Sequence, residues 1–204
     1  SAYSFNQNIG SWKVDNVTNM SCMFCMAKEF NQNLGSWNVS NVTNMEDMFS
    51  ATESFNNGEC NDLHKWNVSN VKNMRFMFFD AKLFNQDIGN WDVSNVTNMH
   101  FMFNSSSSFN KDISKWDVSN VTDMNSMFKL AESFNQDISG WDVSNVTDID
   151  DMFKGAKSFN QDIGKWPINE YCLMNEHVFS GSLVTKETFK DTSYRNKVAI
   201  HLNF

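Results

Sequence analysis

The stretch FNQDIGNWDVSNVTNMHFMFNSSSSF, residues 84–109, decides the architecture, because nearly the same string recurs along the whole chain. All seven tryptophans share one of its columns: Trp12, Trp37, Trp66, Trp91, Trp116, Trp141 and Trp166. Phenylalanine fills a second column at Phe5, Phe30, Phe55, Phe84, Phe109, Phe134 and Phe159, each followed by asparagine. Both columns step by 25 residues except where Asn57-Gly58-Glu59-Cys60 lengthens the third unit to 29. Two independent columns with identical steps are the signature of a repeat array.

Each unit carries nine largely apolar positions, which in the first are Phe5, Ile9, Trp12, Val14, Val17, Met20, Met23, Phe24 and Ala27. They are spread around the unit and gather on no single helical or strand face, so one unit cannot bury them alone. The units must stack, giving a repeat solenoid in which each column lies over its copy in the next coil. The W-x-V step has the period of two of a very short strand, one per coil, paired in parallel with its neighbours. From Val17 the apolar residues step by three through Met20 to Met23, which predicts an irregular or 3₁₀ return segment. Three large aromatics per coil supply most of the stabilisation, at about 25 cal/mol per Å² of apolar surface buried.

With 41% hydrophobic and 14% aromatic residues, the 204-residue chain is long enough and apolar enough to fold. Only eight glycines and one proline serve it, so something else makes the turns. The recurring asparagines Asn16, Asn41, Asn70, Asn95, Asn120 and Asn145 are expected to satisfy backbone groups at one corner, coil after coil, and Phe-Asn-Gln forms a second such ladder. The tryptophan column and these asparagines are therefore read as structural.

The string W-D-V-S-N-V-T-N-M-x-x-M-F-x-x-A-x-x-F, nearly verbatim in 91–109 and 141–159, resembles the repeats of BspA-like leucine-rich repeat proteins, in the surface-protein and lipoprotein branch of Mycoplasma and Listeria. The likeness spans about residues 2–166. It implies a right-handed, leucine-rich-repeat-like coil stack on a cell-surface or extracellular protein, a virion surface included, that acts in recognition or adhesion and has no catalytic residues. The chain departs from the pattern at Gly58, at Pro167 and in the lost Val-Thr-Asn turn after Ile168.

The expected division is a seven-coil solenoid over 1–166 and a degenerate repeat with a C-terminal cap over 167–204. Ala2 already sits in the column of Ala27 and Ala81, so the chain is expected to start within an earlier coil. The alternation in 198–204 suggests a last strand.

If Trp and Val point inward, the residues between and beside them form an exposed face: Lys13, Asn38, Asn67, Asp92, Asp117 and Asp142, with Asp15, Ser40, Ser69, Ser94, Ser119 and Ser144. This polar face, increasingly acidic toward the C-terminus, is the candidate binding surface for a protein or glycan. An ordinary solvated face explains the same residues as well. A second acidic column, Asp87, Asp112, Asp137 and Asp162, could draw calcium, although no loop motif there fixes a calcium geometry.

A net charge of −8 argues against nucleic acid, and no apolar run is long enough for direct membrane insertion. His64, His100, His177 and His201 share no column and build no catalytic or metal constellation, so no enzyme and no cofactor are expected. The cysteines Cys22, Cys25, Cys60 and Cys172 are too irregular for a disulfide framework, and Cys22-Met-Phe-Cys25 lacks a second pair at zinc-ligand spacing. The Asn-Val-Thr triplets at Asn16, Asn41, Asn95, Asn120 and Asn145 match the glycosylation pattern but occupy repeat corners. The competing reading is a structural element that assembles with copies of itself in an envelope, fibre or virion.

Overall fold

The computed structural model describes residues 2–185 and Thr188. Within one coil the chain is a succession of tight turns. In the fourth coil the amides of Trp91, Val96, Met102, Ser106 and Phe109 donate to the carbonyls of Ile88, Val93, Met99, Phe103 and Ser106, at 2.8–3.1 Å. Apolar residues three apart are thus the first and last residues of successive turns, which brings their side chains to the same side.

Two devices replace glycine and proline in these turns. The first is the Asx turn: Asp87, Asp92 and Asn98 each accept, through Oδ1, the amide of the residue two further on, at 3.2, 3.1 and 2.9 Å. The second is a pair of left-handed residues in the return segment of each of the first six coils. Cys22 and Met26, Asp47 and Ala51, Phe76 and Asp80, Phe101 and Ser105, Ser126 and Leu130, and Asp151 and Gly155 all have φ between 53° and 72°. Such angles cost L-residues roughly 1–2 kcal/mol each, and no β-branched residue stands at either position. The next coil compensates, because the amides of these residues donate outward: Phe101 to the Asn125 carbonyl at 2.9 Å and Ser105 to the Lys129 carbonyl at 2.8 Å.

Coils join by backbone bonds at two places. The Thr97 amide donates back to the Lys72 carbonyl at 2.9 Å, and the Met99, Phe101, Phe103 and Ser105 amides donate forward to Asp123, Asn125, Met127 and Lys129. Between these two sets lies a single parallel bridge per coil, running Asn19, Asn44, Asn73, Asn98, Asp123, Asp148 and Leu173. The parallel pairing therefore sits after Thr97 and is one residue deep, whereas the sequence places it in W-x-V. The reason lies in the turn chemistry. The Ser94 amide is held by Asp92, and the Ser94 carbonyl accepts the Asn120 side chain, so neither is left for a backbone ladder. Trp91 and Val93 are buried and Asp92 is exposed, so side chains alternate there without a paired strand.

Side chains complete the joining. The asparagine column donates Nδ2 to the carbonyl of the previous coil, Asn41 to Asp15, Asn70 to Ser40, Asn95 to Ser69, Asn120 to Ser94 and Asn145 to Ser119, all at 2.7–2.8 Å. Each indole from Trp37 to Trp166 donates Nε1 to the Ile or Leu carbonyl one coil back, for example Trp116 to Ile88 at 3.1 Å. At the Phe-Asn corner the amides of Asn31, Asn56, Asn85, Asn110, Asn135 and Asn160 each donate to Oδ1 of the asparagine one coil back, at 2.8–3.0 Å.

The interior is a double column of phenyl rings. Phe78 stacks on Phe84 of its own return segment at 3.8 Å, as Phe103 does on Phe109 at 4.0 Å, and Phe78 and Phe103 lie 5.6 Å apart between coils. Trp12, with a described coil on one side only, is 54% exposed, while the other six tryptophans are buried. The extra residues of the third unit form two 3₁₀ turns, Asn57–Glu59 and Leu63–Lys65. Buried Asn57 bonds to the Leu34 amide, the Cys60 carbonyl and Asp62, which returns Leu63 to the column of Ile88. Beyond Trp166, Leu173 still bridges to Asp148 and Phe179 stacks on Phe153 at 5.7 Å. The remainder of the expected cap, including the strand over 198–204, lies outside the described residues.

Candidate recognition surfaces

The polar face expected from the sequence is on the surface. Lys13, Asn38, Asn67, Asp92, Asp117 and Asp142 are exposed; Asp15 and Ser144 are exposed, and Ser40, Ser69, Ser94 and Ser119 are half-buried. Its hydrogen bonds are largely internal. Asn38, Asn67, Asp92, Asp117 and Asp142 each accept the amide of the serine two residues on, and Asp92 and Asp117 also accept its hydroxyl at 2.6 Å. Those serine bonds hold the Asp92 and Asp142 carboxyls below the usual carboxylate range. At Asp92, Asp117 and Asp142 one carboxylate oxygen, Oδ1, serves the turn.

The other acidic column is used in the same way. Asp87, Asp112, Asp137 and Asp162 accept the amides of Gly89, Ser114, Ser139 and Gly164 at 2.9–3.2 Å. Among the described residues no three His, Cys, Asp or Glu side chains converge as a metal site. A shallow polar depression beside the early coils is lined by Asn8, Gly10, Ser11, Asn33, Ser36 and Asp62. Of these only Asp62 is an acid, and Asn57 and Lys65 engage it.

A second surface, on the return segments, was not singled out in the sequence. Phe76, Phe79 and Phe101 belong to neither phenylalanine column, and their rings meet there half-buried. Centroids lie 5.6 Å apart for Phe76 and Phe79, 5.0 Å for Phe76 and Phe101, and 6.1 Å for Phe79 and Phe101. His100 packs edge-on to Phe76 at 5.4 Å and lies 4.4 Å from Phe101. The Arg75 guanidinium sits over Phe76 at 4.9 Å and reaches Glu46 at 3.7 Å, while its Nε is buried without a hydrogen-bond partner. Acids rim the cluster. Asp123 contacts His100 at 3.3 Å, and burial pushes the Asp47 and Asp80 carboxyls up. The available signal was phenylalanine at positions where other coils carry Asp47, Ser126 and Asp151, or Ser50, Lys129 and Lys154.

A family described as Mycoplasma protein of unknown function, DUF285, matches residues 1–100 and again 83–191. The chain belongs to this family. The two DUF285 matches share residues 83–100, as a repeat array allows. DUF285 membership thus agrees with a repeat protein and carries no statement about ligand or activity. No curated protein and no solved structure matches the chain. No helix among the described residues is long and apolar enough to cross a membrane.

Proposed function

We propose that this chain is a non-catalytic recognition module of the BspA-like, leucine-rich-repeat type, a right-handed solenoid displayed at a cell surface. It presents its outer faces to a protein or glycan, and nucleic acid is not a partner. The observation that carries this reading is the Phe76–Phe79–Phe101 cluster with Arg75 and His100, an aromatic and arginine patch at positions the repeat does not need. Aromatic residues and arginine are enriched at protein interfaces, and contiguous apolar patches on a surface mark interaction sites. The polar columns support a non-catalytic role because their side chains are engaged in turns and inter-coil bonds. Against an assembling structural element, the bonding groups of the described coils are largely satisfied within the stack. The outer side of the first coil, with Tyr3 and Trp12 about half-exposed, is where that alternative would act.

The test is a protein and glycan array probed with the labelled chain, with the triple variant F76S/F79S/F101S, and with D92N/D117N/D142N on the polar face. Loss of signal only in the phenylalanine variant, with melting preserved, supports the reading. Signals unaffected by either variant, or concentration-dependent growth in light scattering without array binding, would refute it.

A further inference from the structure

The corner that carries Phe76 and Phe79 in the third coil carries sulfur in the first. The run Cys22-Met23-Phe24-Cys25-Met26 places four sulfur side chains within five residues. Cys22, Cys25 and Met26 stand at variable positions: the second coil has Asp47, Ser50 and Ala51 there, and the fifth has Ser126, Lys129 and Leu130. Among the described coils no other has sulfur at these three places.

Side chains at the two cysteine positions converge. Phe76 and Phe79 are in ring contact, and in the sixth coil Lys154 reaches Asp151 at 3.3 Å. In the first coil Cys25 lies close enough to Cys22 to act on its thiol. The backbone beneath them is fixed. The Cys25 amide closes a turn on the Cys22 carbonyl at 3.2 Å, while the Cys22 and Met26 amides donate into the second coil at 2.9 and 2.7 Å. A site built on a turn tied down this way is preorganised. It is also accessible: Cys22 is exposed, Cys25 partly so, and Met23 and Met26 are 36% and 46% exposed.

We propose that Cys22 and Cys25 form a surface site for a soft monovalent metal ion, Cu(I) being the probe of that class, held between the two sulfurs with methionine thioethers flanking it. Soft thiolate and thioether donors select such an ion. Zinc requires four ligands, and among the described residues no third His, Cys, Asp or Glu converges on the pair. Metal binding does not need a free thiolate beforehand. Each thiol that coordinates releases its proton to solvent, so Cu(I) bound by both displaces two protons, leaves a bis-thiolate of charge −1 and does not change oxidation state. The site is independent of the recognition reading.

The experiment uses the full chain, reduced and anaerobic, with Cu(I) supplied as its bicinchoninate complex. The wild type should withdraw one Cu(I) per chain and develop a thiolate-to-copper band in the ultraviolet. C22S and C25S should each weaken uptake at least tenfold, and C60S/C172S should leave it unchanged. The serine variants are compatible with the fold, because Ser126 and Ser50 already stand at the same two positions in other coils. Affinity should rise about a hundredfold per pH unit below the thiol range, as two displaced protons require. No uptake, uptake indifferent to C22S and C25S, or consumption of the two thiols as a disulfide without bound copper would overturn the proposal.

Discussion

Replacing Phe103 by alanine tests whether the coils stabilise one another. Phe103 is fully buried, and its ring lies 4.0 Å from Phe109, 5.6 Å from Phe78, 5.7 Å from Phe128 and 6.2 Å from Trp116. Truncating a buried phenylalanine costs about 3–5 kcal/mol, and the loss of aromatic partners on both sides places this site toward the upper end. For a chain of this size a loss of about 4–5 kcal/mol shifts the melting temperature by roughly 8–20 °C. Phe5 is the internal control, because it is half-buried and among the described residues stacks on Phe30 alone, at 5.7 Å. Phe5→Ala should cost about 1–2 kcal/mol, in keeping with partial burial. A one-dimensional array weakened in the middle also loses cooperativity, so the urea slope of Phe103→Ala should fall while that of Phe5→Ala does not. Urea and thermal unfolding followed by tryptophan fluorescence measure both quantities. Losses equal within about 0.5 kcal/mol at the two sites would refute nearest-neighbour coupling as the source of stability.

Asn120→Ala removes the bond to the Ser94 carbonyl at 2.8 Å and should cost about 1 kcal/mol; Asn120→Asp should cost at least as much, because a carboxylate cannot donate. Gly155→Ala should destabilise by roughly 1–2 kcal/mol, since φ is +72° and the added Cβ would lie 2.6 Å from Leu130 Cδ2. Gly140→Ala, with no atom within 4 Å of the added Cβ, should be neutral or slightly stabilising in the same melts. Hydrogen bonds from Lys28 and then Lys82 hold the Glu53 carboxyl down at about 2. A depressed folded value stabilises above the unfolded carboxylate range and is lost as pH falls from about 4.3 through 2, so Glu53→Gln should flatten that limb of stability against pH.

The inward columns were legible because burial leaves an unmistakable period: Trp, Phe and Met at fixed steps have no other explanation than mutual stacking. The asparagine ladder was legible for a related reason, a short amide repeated beside a turn. The location of the parallel pairing was not. Asp92 and Ser94 flank an in-out alternation that reads as a strand, and only coordinates reveal that Asp92 curls onto the Ser94 amide and removes it from pairing. The left-handed positions were hidden as well, since Gly155 and Gly181 mark them with glycine only in the last described coils. Phe76, Phe79 and Phe101 escaped notice because aligning units into a consensus turns their positions into blanks, where the chemistry differs from coil to coil.

Those blanks are where this scaffold is able to carry information. The consensus positions are consumed: Trp, Phe, Met and Val fill the interior, and Asn, Asp and Thr close turns or bridge coils. At the return corner, by contrast, the backbone bonds are the same through the first five coils while the side chains change completely. The amides of Cys22, Asp47, Phe76, Phe101 and Ser126 each donate to the carbonyl of the next coil at 2.8–2.9 Å, irrespective of what the side chain is. Sulfur in the first coil gives way to acid at Glu46 and Asp47, then to aromatic and basic groups from Arg75 to Phe101, then to the Lys129–Asp151–Lys154 ion pairs. A backbone held by its neighbours imposes little on those side chains, so the chemistry of this corner can vary from coil to coil at little cost to the stack.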